Sequence, residues 1–189
     1  MNPTEPIWKS YIVETTEPVF TPQQCQMVID KGMSLKKETA AVGMGNPDGS
    51  GVDTKKRITT ISWIPFKEMP EMYRDIENTM LKANGNHFGF DGMRLTEPGQ
   101  FTHYLPGGFY EWHMDNDVLG KHQPPVRKIS MTLLLSDPST FEGGELEFMQ
   151  NGKAAKLKQG QAIFFASWLQ HRVKPVSYTH LTLPTIYSV

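Results

Sequence analysis

The sequence predicts a mainly β domain with flanking α-helices, built as an antiparallel sandwich or barrel. Three observations carry that expectation. From residue 57 onward, short runs rich in β-branched and aromatic residues follow one another, most of them separated by Gly, Pro, Asp or Asn. Before residue 90, only two segments space their apolar residues as an amphipathic helix does. No internal repeat or linker-like stretch interrupts the 189 residues, a length that suits one domain with a sizeable core.

The first helix is expected over "TPQQCQMVIDKGMSL", residues 21–35. Thr21 is a suitable N-cap and Pro22 suits the first helical position. Cys25, Val28, Ile29 and Met33 would form its apolar stripe. The polar, Gly-rich "GMGNPDGSGVD" at 43–53 has no periodicity and reads as a plain connection. The second helix, "PEMYRDIENTMLKANG" at 70–85, places Met72, Tyr73, Ile76 and Met80 on one face, with Gly85 as its stop. Strands are expected within "RITTISWI" (57–64), "MRLTEPGQFTHYL" (93–105), "RKISMTLLL" (127–135), "GGELEFM" (143–149), "KAAKL" (153–157), "QAIFFAS" (161–167) and "HRVKPV" (171–176).

Composition narrows the function classes. Hydrophobic residues make up 38% and charged residues 21%, ordinary for a globular domain. A formal net charge of −1 speaks against a nucleic-acid or anionic-membrane surface, and "KKR" at 55–57 reads as a solvated loop. The lone Cys25 excludes an intrachain disulfide framework and suits a reducing compartment. No leader-like pattern and no run of membrane-spanning length stands out, so the expectation is a cytoplasmic protein without a membrane partner.

The stretch "FTHYLPGGFYEWHMDND" at 101–117 carries the chemistry. In a strand, residues i and i+2 face one side, so His113 and Asp115 can share a cation. A third ligand must come from His87, His103, His122, His171 or His180. His171 is the best placed, between the apolar run ending "SWLQ" and the strand candidate "HRVKPV". Imidazole and carboxylate together suit a borderline divalent ion such as iron(II). Zinc tolerates the same donors, but no general base stands at an informative spacing. His-x-Asp alone is a weak signal. The bend before it, the strand after it, the "GGEL" turn at 143–146 and a histidine at the next strand junction make the pattern specific.

With "HYLPGGFYEWHMD", "RKISMTLLLSD", "FEGGELEF", "GQAIFFAS" and "HRVKPV", residues 95–176 resemble the catalytic core of the iron(II)- and 2-oxoglutarate-dependent dioxygenases, particularly the prolyl 4-hydroxylase-like branch. The resemblance implies a double-stranded β-helix, or jelly roll, with the N-terminal helices packed on its outer sheet. It implies one domain over 1–175, of which 1–90 buttress the core and 91–175 form it. It assigns the metal ligands and catalytic centre to His113, Asp115 and His171. It also implies Fe(II), 2-oxoglutarate as co-substrate, O2, and ascorbate as a helper. Tyr104 would contact a 2-oxoglutarate carboxylate, although on its own it reads equally well as a core aromatic. The implied reaction hydroxylates a prolyl or similar residue in a peptide, releasing succinate and CO2. A small metabolite or a nucleic acid would use the same triad, and a catalytically silent jelly-roll binding module would keep the fold without turnover.

One part of the family pattern is missing. That family places an Arg or Lys about ten residues beyond the distal histidine, to hold the far carboxylate of 2-oxoglutarate. Here position 181 is Leu, and residues 175–189 contain no Asp, Glu, Lys or Arg. Arg172 and Lys174 have the opposite strand parity from His171 and should face away from it. Lys128, on the strand after His-x-Asp, is the substitute anchor the sequence offers. The tail from about 176, "VSYTHLTLPT", resembles a translated sequencing adapter, which makes 176–189 a non-native tail and leaves the last core strand missing. Resequencing the source locus checks this: the expected reading frame diverges near codon 176, and an uninterrupted frame encoding this tail would refute it.

Overall fold

The computed structural model describes residues 10–42, 51–116, 126–150, 152, 154–178 and 181–188, so most of the expected connection at 43–53 lies outside the described residues. Along the chain run β1 (Ile12–Glu14), α1 (Pro22–Ser34), β2 (Glu38–Thr39), β3 (Arg57–Ile58), β4 (Thr60–Ile64) and α2 (Pro70–Ala83). They are followed by β5 (Gly99–Tyr104), β6 (Phe109–His113), β7 (Ile129–Leu133), β8 (Glu142–Gly143) and β9 (Leu146–Phe148). The chain then forms β10 (Ala162–Ala166), β11 (His171–Val173), β12 (Val176–Tyr178) and β13 (Leu181–Ser188). The major sheet has the order β1-β10-β7-β13-β5-β4-β2, and the minor sheet β3-β6-β11-β9, with β12-β8 as a short third ladder. The pairings among these strands are antiparallel. This is the expected jelly roll.

Period-2 alternation sorts the major sheet into two cores. Ile129, Met131, Leu133, Ala162, Phe164 and Phe101 point to the helix side and join Cys25, Val28, Tyr73, Ile76 and Met80. Ile163, Phe165 and Tyr104 point the other way and meet Leu146, Phe148 and Val173 of the minor sheet. Strands covered on both faces must be apolar throughout, which is why "ISMTL" and "AIFFA" are buried at every position.

The helices follow their local signals. Thr21 and Gln24 form a capping box: Gln24 N donates to Thr21 Oγ1 at 3.2 Å, and Thr21 N donates to Gln24 Oε1 at 2.9 Å. Met33 is exposed, so the first stripe is corrected at its last position: Gly32 faces the core in its place. There the helix lies against the fully buried ring of Phe101, and the Ser62 hydroxyl donates to the Gly32 carbonyl at 2.7 Å. The second stripe is buried as expected. Its helix ends at Ala83 and widens into a π turn over Asn84–Phe88, which Gly89 closes with φ 75°. Gly89, and not Gly85, therefore takes the left-handed stop position.

Two further expectations are corrected. Among its described residues, 154–157, "KAAKL" forms a single bridge, Glu147 to Ala154, and no strand. Within the first 90 residues, β2 and β4 extend the major sheet and β3 edges the minor one. The last core strand is present: β13 lies between β5 and β7 and pairs with both. The physical reason is the slot itself. Without β13, two interior strands would turn unpaired backbone groups toward one another, and a charge-free segment rich in Leu, Thr, Ile and Tyr suits that place.

A methyl group at position 32 would overlap the Phe101 ring. Gly32→Ala is expected to lower stability by about 1–3 kcal/mol. Equilibrium urea unfolding measures it; an unchanged midpoint would show that α1 shifts freely on the sheet.

Candidate metal centre

β6 and β11 are neighbours, and their register sets His113 directly opposite His171. Two residues further along β11, Val173 faces Tyr110, three residues back along β6. The extra residue is a β-bulge. It turns both Tyr110 and His113 inward, although simple alternation would put them on opposite faces. The imidazole of His113 stacks on the Tyr110 ring with centroids 3.4 Å apart and lies 4.1 Å from that of His171.

Asp115 reaches the same point by another route than strand alternation. β6 ends at His113, and Asp115 stands in the bend beyond it. Its N–H and that of Asn116 both donate to the Ser167 carbonyl at 3.0 Å, tying the bend to the end of β10. Arg127 Nη1 donates to the Asp115 carbonyl at 3.1 Å, while its Nε and Nη2 grip both Glu97 carboxylate oxygens at 2.6 Å. The carboxylate then lies 3.6 Å from His113 Nε2 through Oδ1 and 3.5 Å from His171 Nε2 through Oδ2. One ligand atom from each of the three residues falls within 4.8 Å of the others.

The hydrogen bonds settle which nitrogens are available. His113 Nδ1 donates to the Glu111 carbonyl at 2.8 Å, and His171 Nδ1 donates to the Leu169 carbonyl at 2.9 Å. Both Nε2 atoms therefore present lone pairs to the shared centre. Burial, together with the nearby His171, pushes the His113 imidazole down to about 3. At Asp115 burial acts upward, but the two imidazoles, the Ser130 hydroxyl and Arg127 outweigh it and hold the carboxyl below its ordinary range. Neutral imidazoles beside a carboxylate are the protonation states in which these side chains ligate a cation. The donors fit a divalent metal ion with two nitrogens and one oxygen.

The other sequence candidates fall elsewhere. His87 belongs to the π turn and His103 to β5, neither of them in the cluster, and His122 and His180 lie outside the described residues. Tyr104 is 2% exposed within the inner core, and burial pushes its hydroxyl up to about 12 while Arg57 acts against that rise. Lys128, the substitute anchor the sequence offers, is exposed just before β7, with its ammonium 6.0 Å from the Phe90 ring centroid. Arg172 and Lys174 face away, as their parity requires, and both pair with Glu147, at 2.8 and 3.0 Å. Sequence reasoning missed Arg57, which sits opposite Tyr110 in the β3–β6 ladder. Its guanidinium lies 4.4 Å from the Tyr110 ring centroid, and with Asp115 it lines a cavity of about 490 Å³. The signal available was a lone Arg opening a strand, easily absorbed into the solvated "KKR".

Comparison with known proteins places these features. A family model described as 2OG-Fe(II) oxygenase superfamily matches residues 99–185. A PKHD-type hydroxylase of Teredinibacter turnerae is 33% identical over 137 residues, covering 69% of this chain and 61% of that relative. The chain thus spans about three fifths of that relative's length. A viral collagen prolyl hydroxylase of Paramecium Bursaria Chlorella virus-1, in its 2OG complex, has a TM-score of 0.73 at 20% identity, over 95% of this chain and 96% of that one. A prolyl-4-hydroxylase of Pseudomonas putida gives 0.69 at 18%, over 94% and 91%. At such identities the two structures speak for the fold. Among the described residues no helix is long and apolar enough to cross a membrane.

The lowered basicity of His113 makes the metal-free protein sensitive to acid. Between the ordinary histidine value near 6.5 and about 3, the unfolded chain takes up a proton at residue 113 that the folded chain refuses. Stability is therefore lost as pH falls through that window, on the order of 3 kcal/mol by pH 4. His113→Gln is expected to flatten this slope in chemical denaturation at pH 7, 5.5 and 4; an unchanged slope would refute it.

Proposed function

We propose that this chain is a member of the 2OG-Fe(II) oxygenase superfamily, whose family model matches residues 99–185, and that it is an iron(II)- and 2-oxoglutarate-dependent dioxygenase that hydroxylates a prolyl or similar residue in a peptide. The observation that carries the reading is the convergence of His113, Asp115 and His171 within 4.8 Å. In this reading those three residues hold Fe(II), and one domain carries the whole site. The peptide preference is supported by relatives named as hydroxylases and by the shared fold of the prolyl hydroxylases. Ascorbate would serve as the reductant for iron held by these residues, and the lone, buried Cys25 accords with a cytoplasmic setting.

Bound iron with 2-oxoglutarate and O2 supplies the oxidising chemistry, in which the keto acid leaves as succinate and CO2. The chain's own groups do the rest. The Glu111 and Leu169 carbonyls fix the two imidazole tautomers and ring planes. Glu97, through Arg127, holds the backbone of Asp115, so the carboxylate keeps its place when substrate enters. Tyr110 walls one side of the His113 ring and keeps water from it. Trp63 and Met114 line the cavity beside Asp115 and offer an apolar surface for a substrate ring.

The test is succinate release from 2-oxoglutarate with iron(II) and ascorbate, read beside a mass gain of about 16 Da, one oxygen atom, on prolyl peptides. His113→Ala and Asp115→Ala are expected to lower succinate release at least about a hundredfold and to abolish thermal stabilisation by Mn(II). Metal-independent signals, equal in wild type and variants, would remove the dioxygenase reading in favour of a silent binding module.

A further inference from the structure

Arg57 is 7% exposed, yet no carboxylate among the described residues pairs with it. Its neighbours are neutral. Nη2 donates to Gln100 Oε1 at 2.9 Å, Nη1 donates to the Ala41 carbonyl at a long 3.4 Å, the Tyr104 and Tyr110 hydroxyls also accept from the guanidinium, and it lies over the Tyr110 ring. Nε is buried without a hydrogen-bond partner. The other cations near the minor sheet are each matched, Arg127 by Glu97 and both Arg172 and Lys174 by Glu147. Glu38 also lines the cavity, but its carboxylate lies 3.7 Å from Lys36 Nζ.

A buried guanidinium with an acceptor-free N–H is a costly arrangement unless an anion completes it. Its planar fork favours a carboxylate. The cavity it shares with Asp115, about 490 Å³, suits a small acid. We infer that Arg57 is the seat of a ligand carboxylate, oriented by Gln100 and Tyr110. Its assignment to the far carboxylate of 2-oxoglutarate rests on the proposed function; the other source of the same chemistry is an acidic group of the substrate.

Calorimetric titration of the full chain, with and without Mn(II), separates these. The probes are 2-oxoglutarate, glutarate (both carboxylates, no keto group) and 2-oxobutanoate (keto acid without the far carboxylate). Arg57→Gln is expected to weaken 2-oxoglutarate and glutarate at least about tenfold and leave 2-oxobutanoate within about twofold. Arg57→Lys, which keeps the charge, should recover part of the loss. Equal loss for all three probes would mean that Arg57 only supports the fold, and no loss for the dicarboxylates would mean that it binds nothing; either overturns the inference. Arg57-dependent glutarate binding, combined with 2-oxoglutarate binding that Mn(II) does not tighten, keeps the seat, moves its source to the substrate and removes the keto-acid reading of the cluster.

Discussion

One irregularity in one strand underlies the site. In a regular ladder, two residues three positions apart face opposite ways, so Tyr110 and His113 could not both line an interior. The bulge between the Tyr110–Val173 and His113–His171 pairs cancels that parity. It produces a stack of planar groups: His171 beside His113, His113 against Tyr110, and Tyr110 beneath the Arg57 guanidinium. Each member fixes the ring plane of the next. Steric packing and quadrupole attraction set the imidazole geometry before any cation is present.

Rigidity of the aspartate comes from a different source. A residue just past a strand end is free to wander, because ladder hydrogen bonds no longer hold it. Here the Ser167 carbonyl collects two N–H groups, from Asp115 and Asn116, and Arg127 caps the Asp115 carbonyl from the far side. Arg127 is itself immobilised by the forked contact with Glu97 and by the Asn116 side chain donating to its carbonyl at 3.1 Å. Three separate segments of sequence, near 97, 115 and 127, thus close on one carboxylate. Pre-organisation of this kind lets the site hold a cation without the entropy loss of ordering its loop at that moment.

The sequence made the jelly roll, both helices and the three clustered side chains legible, for identifiable reasons. Helix α1 announced itself by Thr21 as N-cap followed by Pro22, and α2 by an apolar stripe that is buried at Met72, Tyr73, Ile76 and Met80. His171 was recognisable because it sits where an apolar strand hands over to the next. Less legible were features that depend on partners distant in sequence. Gly32 replaces Met33 at the core because the Phe101 ring claims that space, which no helical spacing reveals. Asp115 was placed on the right side for the wrong reason, since a loop clasp and not strand parity positions it. The last strand was the least legible. Its composition reads as foreign to the chain, yet β5 and β7 take it up as the strand between them. They do so even though Pro184, paired with Phe101, brings no N–H to an interior ladder.

Charge placement in the minor sheet and its surroundings completes the physical picture. Strand parity sends Arg172 and Lys174 outward, where Glu147 answers both and is held below its ordinary range by them. Exposed networks of this sort cost little to form and contribute little, so they keep the outer face soluble without constraining the interior. Inside the barrel the balance differs, because low polarity magnifies every uncompensated charge. Asp115 has two imidazoles, the Ser130 hydroxyl and Arg127 acting on it. Arg57 has an amide, a carbonyl at long range, the Tyr104 and Tyr110 hydroxyls and a ring face, and no anion. The fold therefore sets one anion beside two imidazole nitrogens at one point and, across the cavity, a buried guanidinium whose Nε–H has no acceptor. An acid with a second donor group, bound between them, would relieve both at once, which is a stronger constraint on the ligand than either feature imposes alone.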